Sequence, residues 1–173
     1  MRKQKANLIR QKTEALLSRC GIAEAPVPVE EIARAVGARV RYSPFEGELA
    51  GMLMRGDGQT TIGVNSLHHP NRQRFTIAHE LGHLLLHKGE VHIDRSFRVN
   101  RRDEVSSLAV DPDEIEANCF AAELLMPYDL VMAEFLECDI DVEDESEIRR
   151  LAKKYEVSLQ AMTHRIINLL KLS

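Results

Sequence analysis

The chain reads as an α+β protein, mostly helical, with a small three-stranded antiparallel sheet and a helix-turn-helix-like part at its C-terminal end. Three observations predict this. Apolar residues at helical spacing, bounded by capping residues, recur at both ends of the chain. A block of short runs between Ala38 and Asn65, punctuated by Pro44, Gly47 and Gly56-Asp57-Gly58, reads as strands and turns. Between that block and the later helices lies one apolar helical run that carries three histidines.

Residues 4–19 form the first expected helix, with Ala6, Ile9, Leu16 and Leu17 as its apolar positions and Gly21 as its cap. Pro26-Val27-Pro28-Val29 is an extended lead-in to a short helix from Glu30 to Val36, ended by Gly37. Strands follow at Ala38–Tyr42, Leu49–Met54 and Thr60–Asn65, the last two joined by a hairpin turn at 55–59. Thr60–Asn65 is expected at an exposed sheet edge, where it can pair with an extended peptide. A polar loop from Asn65 to Asn71 leads into the histidine helix, which Gly89 ends. Residues 90–110 have weak periodicity and four arginines, and read as a loop. Asp111 caps the next helix and Pro112 fits its first position. That helix stops before Pro127. Tyr128–Cys138 is one more helix. Seven acids between Glu137 and Glu147 then read as a solvated face. Glu147–Tyr155 and Ser158–Leu170 form the closing helical pair, with Ser158 as a cap.

Composition narrows the function classes. With 44% hydrophobic and 29% charged residues the profile is that of a soluble globular protein. A net charge of -4 gives no support to a protein that coats nucleic acid. No apolar run approaches membrane length, and the basic start Met1-Arg2-Lys3-Gln4-Lys5 lacks the apolar segment of a signal peptide. Cys20, Cys119 and Cys138 are odd in number and widely spaced, as expected of reduced thiols in a cytoplasmic protein.

The chemistry concentrates in Phe75–His87. His79 and His83 are four apart, so they project from one helix face about one turn apart. That spacing places two imidazoles on one tetrahedral Zn²⁺, and Glu80 lies beside them as a general base for an attacking water. Leu81, Leu84 and Leu85 are expected to bury the opposite side. A catalytic site needs a third protein ligand. Glu114 is the expected one, with Glu116 as the alternative if its helix is rotated. Asn118, four residues after Glu114, can hydrogen-bond the outward nitrogen of a ligand histidine, expected to be His79. His87 extends the histidine face by a turn and is expected to support the site. Tyr128, Tyr155, His164, Arg165 and His92 are candidates to contact substrate or the developing oxyanion. Mn²⁺ or Fe²⁺ could replace Zn²⁺ on this ligand set.

Arg74-Phe75-Thr76-Ile77-Ala78-His79-Glu80-Leu81-Gly82-His83 with Leu86-His87, followed by Glu114, Ala117-Asn118, Phe120-Ala121-Ala122 and Leu124-Leu125-Met126-Pro127, resembles the ImmA/IrrE family of bacterial and phage-associated metallopeptidases. The resemblance covers roughly residues 4–170. It implies a zincin-like fold, with a metallopeptidase core at 1–127 and a helical region at 128–173 packed on it. It implies a gluzincin-like site with His79, His83 and Glu114 as ligands and Glu80 as base. It also implies a helix-turn-helix repressor as the substrate, cut to relieve repression after stress or during mobile-element induction. Asn118 stands where thermolysin-like enzymes carry an acid, so its effect on ligand basicity should be weaker.

Two other classes fit parts of the sequence. A non-catalytic metal-binding interaction protein would use the histidines but has no need of Glu80. A DNA-binding regulator would use Arg149, Arg150, Lys153, Lys154 and Arg165 on the closing helical pair. The overall acidity opposes that reading, so direct nucleic-acid binding is not expected.

Overall fold

A computed structural model describes residues 3–47, 49–56, 58–88, 91–94, 111–138 and 144–171. The chain begins with α1 (Lys3–Arg19) and α2 (Val29–Ala35), then β1 (Ala38–Ser43), β2 (Gly51–Gly56) and β3 (Gln59–Asn65). It continues through α3 (Pro70–Leu86), β4 (Val91–Asp94), α4 (Pro112–Leu125), α5 (Tyr128–Cys138), α6 (Glu145–Lys154) and α7 (Leu159–Leu170). The α+β class stands.

Local chemistry sets the boundaries. Gly21 and Gly37, at φ 69° and 85°, take the left-handed conformation that ends α1 and α2. Asp111 and Ser158 cap α4 and α7 through their side chains, accepting from the backbone N–H groups of Asp113 and Ala161. Asp144 caps α6 in the same way through Ser146 N–H, so the end of the acidic run places Glu145 and Glu147 in a first turn, where the helix dipole favours negative charge. Residues 139–143 of that run lie outside the described residues, as do 95–110 of the expected loop.

The sheet departs from expectation in three ways. It has four strands, in the order β1-β3-β2-β4. It is mixed, because β1 runs parallel to β3 from Ala38↔Thr60 to Ser43↔Asn65. And Thr60–Asn65 is no edge: β3 lies between β1 and β2. The reason is a split hairpin. The chain leaves β1 and returns down β2 one strand further over, and β3 fills the gap after the β2–β3 turn. The loop after β1 must therefore span two strand spacings, about 10 Å. Asn65 holds it there. Only 2% exposed, its side chain accepts from Phe45 N–H and donates to Leu49 O at 2.9 Å. Strand β4 falls in the region read as loop. Four residues carry too little alternation to stand out, and pairing with β2 makes the strand.

One contiguous core joins the sheet, α1–α4 and the closing helices, from Ile9 and Leu53 through Leu81 and Phe120 to Leu151 and Ile166. Within α3 the burial is carried by Ile77, Ala78 and Leu81, whereas Leu85 is exposed at 37%. No helix among the described residues is long and apolar enough to cross a membrane.

Candidate metal centre

Two helices build the site, and their closeness is set by small residues. A Cβ added at Gly82 of α3 would meet Ala117 Cα of α4 at 2.9 Å, so only glycine permits this crossing. Ala117 and Ala121, both fully buried, supply the facing surface. Strand β2 approaches α3 as closely: a Cβ at Gly51 would meet Thr76 Cγ2 at 2.3 Å and Glu80 Oε1 at 3.3 Å. Arg55, also on β2, donates to the carbonyls of His83, Leu84 and His87 at 3.0, 3.3 and 3.2 Å. It thereby pins the C-terminal end of the helix that carries the histidines, adding to the bond that the His83 carbonyl accepts from the His87 N–H.

The side chains converge as the spacing implies. His79 Nε2 and His83 Nε2 are 3.0 Å apart. Glu114 brings one carboxylate oxygen to 3.3 Å from His79 Nε2 and the other to 3.4 Å from His83 Nε2. The ligand atoms of His79, His83 and Glu114 all lie within 4.8 Å of one another. A tetrahedral ion bound at about 2.0–2.1 Å separates its ligands by about 3.3 Å, so the donor set fits a divalent metal in size and chemistry. Two imidazole lone pairs facing each other at 3.0 Å repel unless a cation or proton lies between them. Both histidines are nearly enclosed, at 2% and 3% exposure, and Glu80 beside them is fully buried.

Outer contacts fix the ring orientations. With Nε2 of His79 turned to the centre, its Nδ1–H donates to Asn118 Oδ1 at 3.1 Å. His83 Nδ1 lies 3.1 Å from His87 Nδ1, so His83 donates and His87 accepts. His87 Nε2–H then faces Asp113 Oδ1 and Glu116 Oε2, each at 3.7 Å. Glu116 is thus turned away from the ligand group. It pairs with Lys5 of α1, and that bond, above all, holds its carboxyl below the ordinary range. Arg74 joins α3 to its surroundings, donating to Val27 O at 2.9 Å and pairing with Glu156 at 3.1 Å. Burial lowers its pKa.

The candidate oxyanion groups are spread over β4, α5 and the closing helices. Tyr155 is 1% exposed and packs in the core, where burial raises its pKa. Arg165 donates to Glu123 Oε2 at 2.7 Å and to Met126 O at 2.9 Å, a largely buried tie between α4 and α7. Tyr128 lies under the Arg10 guanidinium, 3.6 Å from the ring centre. Both, with exposed His164, line a groove between α4 and α7. His92 is on β4, its side chain outside the described residues. Of the cations proposed for DNA contact, Arg149, Arg150, Lys154 and Arg165 each pair with a carboxylate of this chain. Sequence reasoning missed Arg55. Its only signal is a charged residue near a hairpin, which is ordinary.

Similarity to known proteins agrees with this geometry. The chain is 29% identical, over 116 residues, to "Uncharacterized immunity region protein 2" of Bacillus phage phi105, covering 66% of this chain and 67% of that protein. Its fold is similar to that of a Mycobacterium tuberculosis transcriptional regulator, with a TM-score of 0.61 and 17% identity. The likeness covers 92% of this chain but only 46% of the regulator's. Residues 33–166 match the Peptidase_M78 model, the IrrE N-terminal-like domain. Because that match takes in most of the sequence and contains both helices of the candidate metal centre, the chain belongs to the Peptidase_M78 family.

Proposed function

We propose that this protein is a zinc-dependent endopeptidase whose substrate is a helix-turn-helix transcriptional repressor in the cytoplasm. One observation carries the catalytic part: two imidazoles and a carboxylate from separate helices converge, with a fully buried glutamate alongside. His79, His83 and Glu114 would hold the metal, with Mn²⁺ or Fe²⁺ as alternatives. Bound there, the ion supplies Lewis acidity toward a peptide carbonyl and toward water.

The remaining chemistry belongs to the chain. Glu80 takes the proton of the attacking water and delivers it to the leaving amine. Its burial excludes bulk solvent, so the proton stays between carboxylate, water and amine. Asn118 and His87 keep the ligand nitrogens aimed inward. In this reading residues 1–127 supply the site and 128–173 the helical wall beside it. The family and the phage immunity-region relative support a regulatory substrate.

The test incubates metal-loaded protein with helix-turn-helix repressors encoded nearby and follows intact mass. Wild type should release two fragments whose masses sum to the repressor plus water. Glu80→Gln should retain metal and fold but leave the repressor whole. Equal cleavage by both proteins would refute the role of Glu80. No cleavage of any such repressor by the metal-loaded wild type would refute the substrate class.

A further inference from the structure

The groove between α4 and α7 is not part of the ligand group, yet it begins beside it. Asn118, which bonds His79, lies on its wall, and so does Phe75, whose ring centre is 6.2 Å from that of His79. Its volume, about 1270 Å³, exceeds the range of roughly 300–1,000 Å³ typical of small-molecule sites. A chain segment suits that size better than a metabolite.

The lining has two characters. Phe75, Ala122, Met126, Val157 and Leu159 give it an apolar floor. Arg10, Arg72, Arg149, Lys153, Arg165 and Lys171 surround that floor, against the single carboxylate of Glu123. Three of these cations are neutralised within the chain: Arg10 by Glu14 and Asp129, Arg149 by Glu145, and Arg165 by Glu123. Arg72, Lys153 and Lys171 have no ion-pair partner among the described residues, and all three are exposed. The groove therefore carries a net positive rim in a chain whose overall charge is -4.

We propose that this groove docks an acidic amphipathic segment of a partner protein, apolar side chains on the floor and carboxylates against Arg72, Lys153 and Lys171. A nucleic-acid strand would satisfy the rim, but of the floor residues Phe75 is the single ring on which its bases could stack. A purely apolar segment would leave the cations without complement. The proposal rests on the peptidase reading only in taking the segment to belong to the protein that is cut. Docking itself needs no turnover.

The experiment uses full-length Glu80→Gln protein and fluorescence anisotropy. The probe is a labelled peptide of about four helical turns with glutamates on one face and leucines on the other. Comparison probes are a lysine–leucine peptide of the same pattern and an oligo-thymidine strand of similar length. The acidic peptide should bind, and its affinity should fall with added salt. Lys153→Glu combined with Lys171→Glu, both at exposed positions, should weaken it at least about tenfold with the circular-dichroism spectrum unchanged. Absence of binding by the acidic peptide overturns the proposal. So does equal or tighter binding of either comparison probe, or binding that ignores the charge reversal. Docking without repressor cleavage in the earlier assay would count against the peptidase reading alone. Cleavage without docking would count against the groove alone.

Discussion

Gly82 shows how much one hydrogen atom decides. Its Cα lies where any side chain would strike the Ala117 backbone, and His83 of the candidate metal centre follows directly after it. Gly82→Val should force α3 and α4 apart and cost about 1–3 kcal/mol, as overpacking does, read as a lower urea midpoint with an unchanged slope. Metal affinity should fall with it, because the imidazoles and Glu114 sit on opposite sides of that crossing. Asn118 makes a milder case. Asn118→Ala removes the acceptor for His79 Nδ1–H and should weaken metal binding about 10–100-fold, measured by competition with a chromophoric chelator. At this scale the sequence was informative wherever helical spacing governs. His79, Glu80, His83, Glu114 and Asn118 occupy the faces that their intervals dictate. It was uninformative about Tyr155 and Arg165, whose burial and pairing depend on residues dozens of positions away.

Helices and strands here are held at their ends. Arg55 reaches from β2 to the last carbonyls of α3. Arg55→Met keeps much of the side-chain volume but removes these three bonds. It should destabilise the protein by about 1.5–3 kcal/mol, the range for hydrogen bonds to charged groups, in chemical denaturation. The α6 cap makes a pH prediction. The bonds from Ser146 hold the Asp144 carboxyl below its ordinary range. A depressed folded pKa means that the stabilisation is present above the unfolded value, near 3.9, and is lost as pH falls through the folded one. Asp144→Asn can still cap but cannot titrate. Melting temperatures of wild type and variant should therefore converge as pH drops below about 4, and stay separated by a constant offset near neutrality. Helix caps, glycine stops and the β2–β3 hairpin were legible because each is a short-range matter. The parallel pairing of β1 was not, since a split hairpin and a plain one use the same strands.

For the molecule as a whole, the candidate metal centre bridges several elements. Its donors come from α3 and α4, Arg55 ties in β2, and the contacts around His87 run on to Glu116 and Lys5 of α1. A ligand that binds only the folded state stabilises it by mass action, about 2.7 kcal/mol at a hundredfold excess over Kd. Added Zn²⁺ should raise the melting temperature of wild type, and chelator should lower it again. His79→Ala and Glu114→Ala should lose that response, whereas Lys153→Glu should retain it. A wild type indifferent to metal would refute ion binding at this centre.

By itself the sequence determined much of the helix-borne half of this protein: where the helices lie and which side chains share a face, although α3 ends at Leu86, short of the expected Gly89, and α6 starts at Glu145 instead of Glu147. Those properties depend on intervals of three or four residues and on single caps, so they survive without knowledge of the fold. The tertiary structure alone decided the strand order, the Arg55 brace, the burial of Tyr155 and the charged groove beside α7. Each of these joins residues far apart in the chain, and their meeting is set by how the core packs rather than by any local pattern.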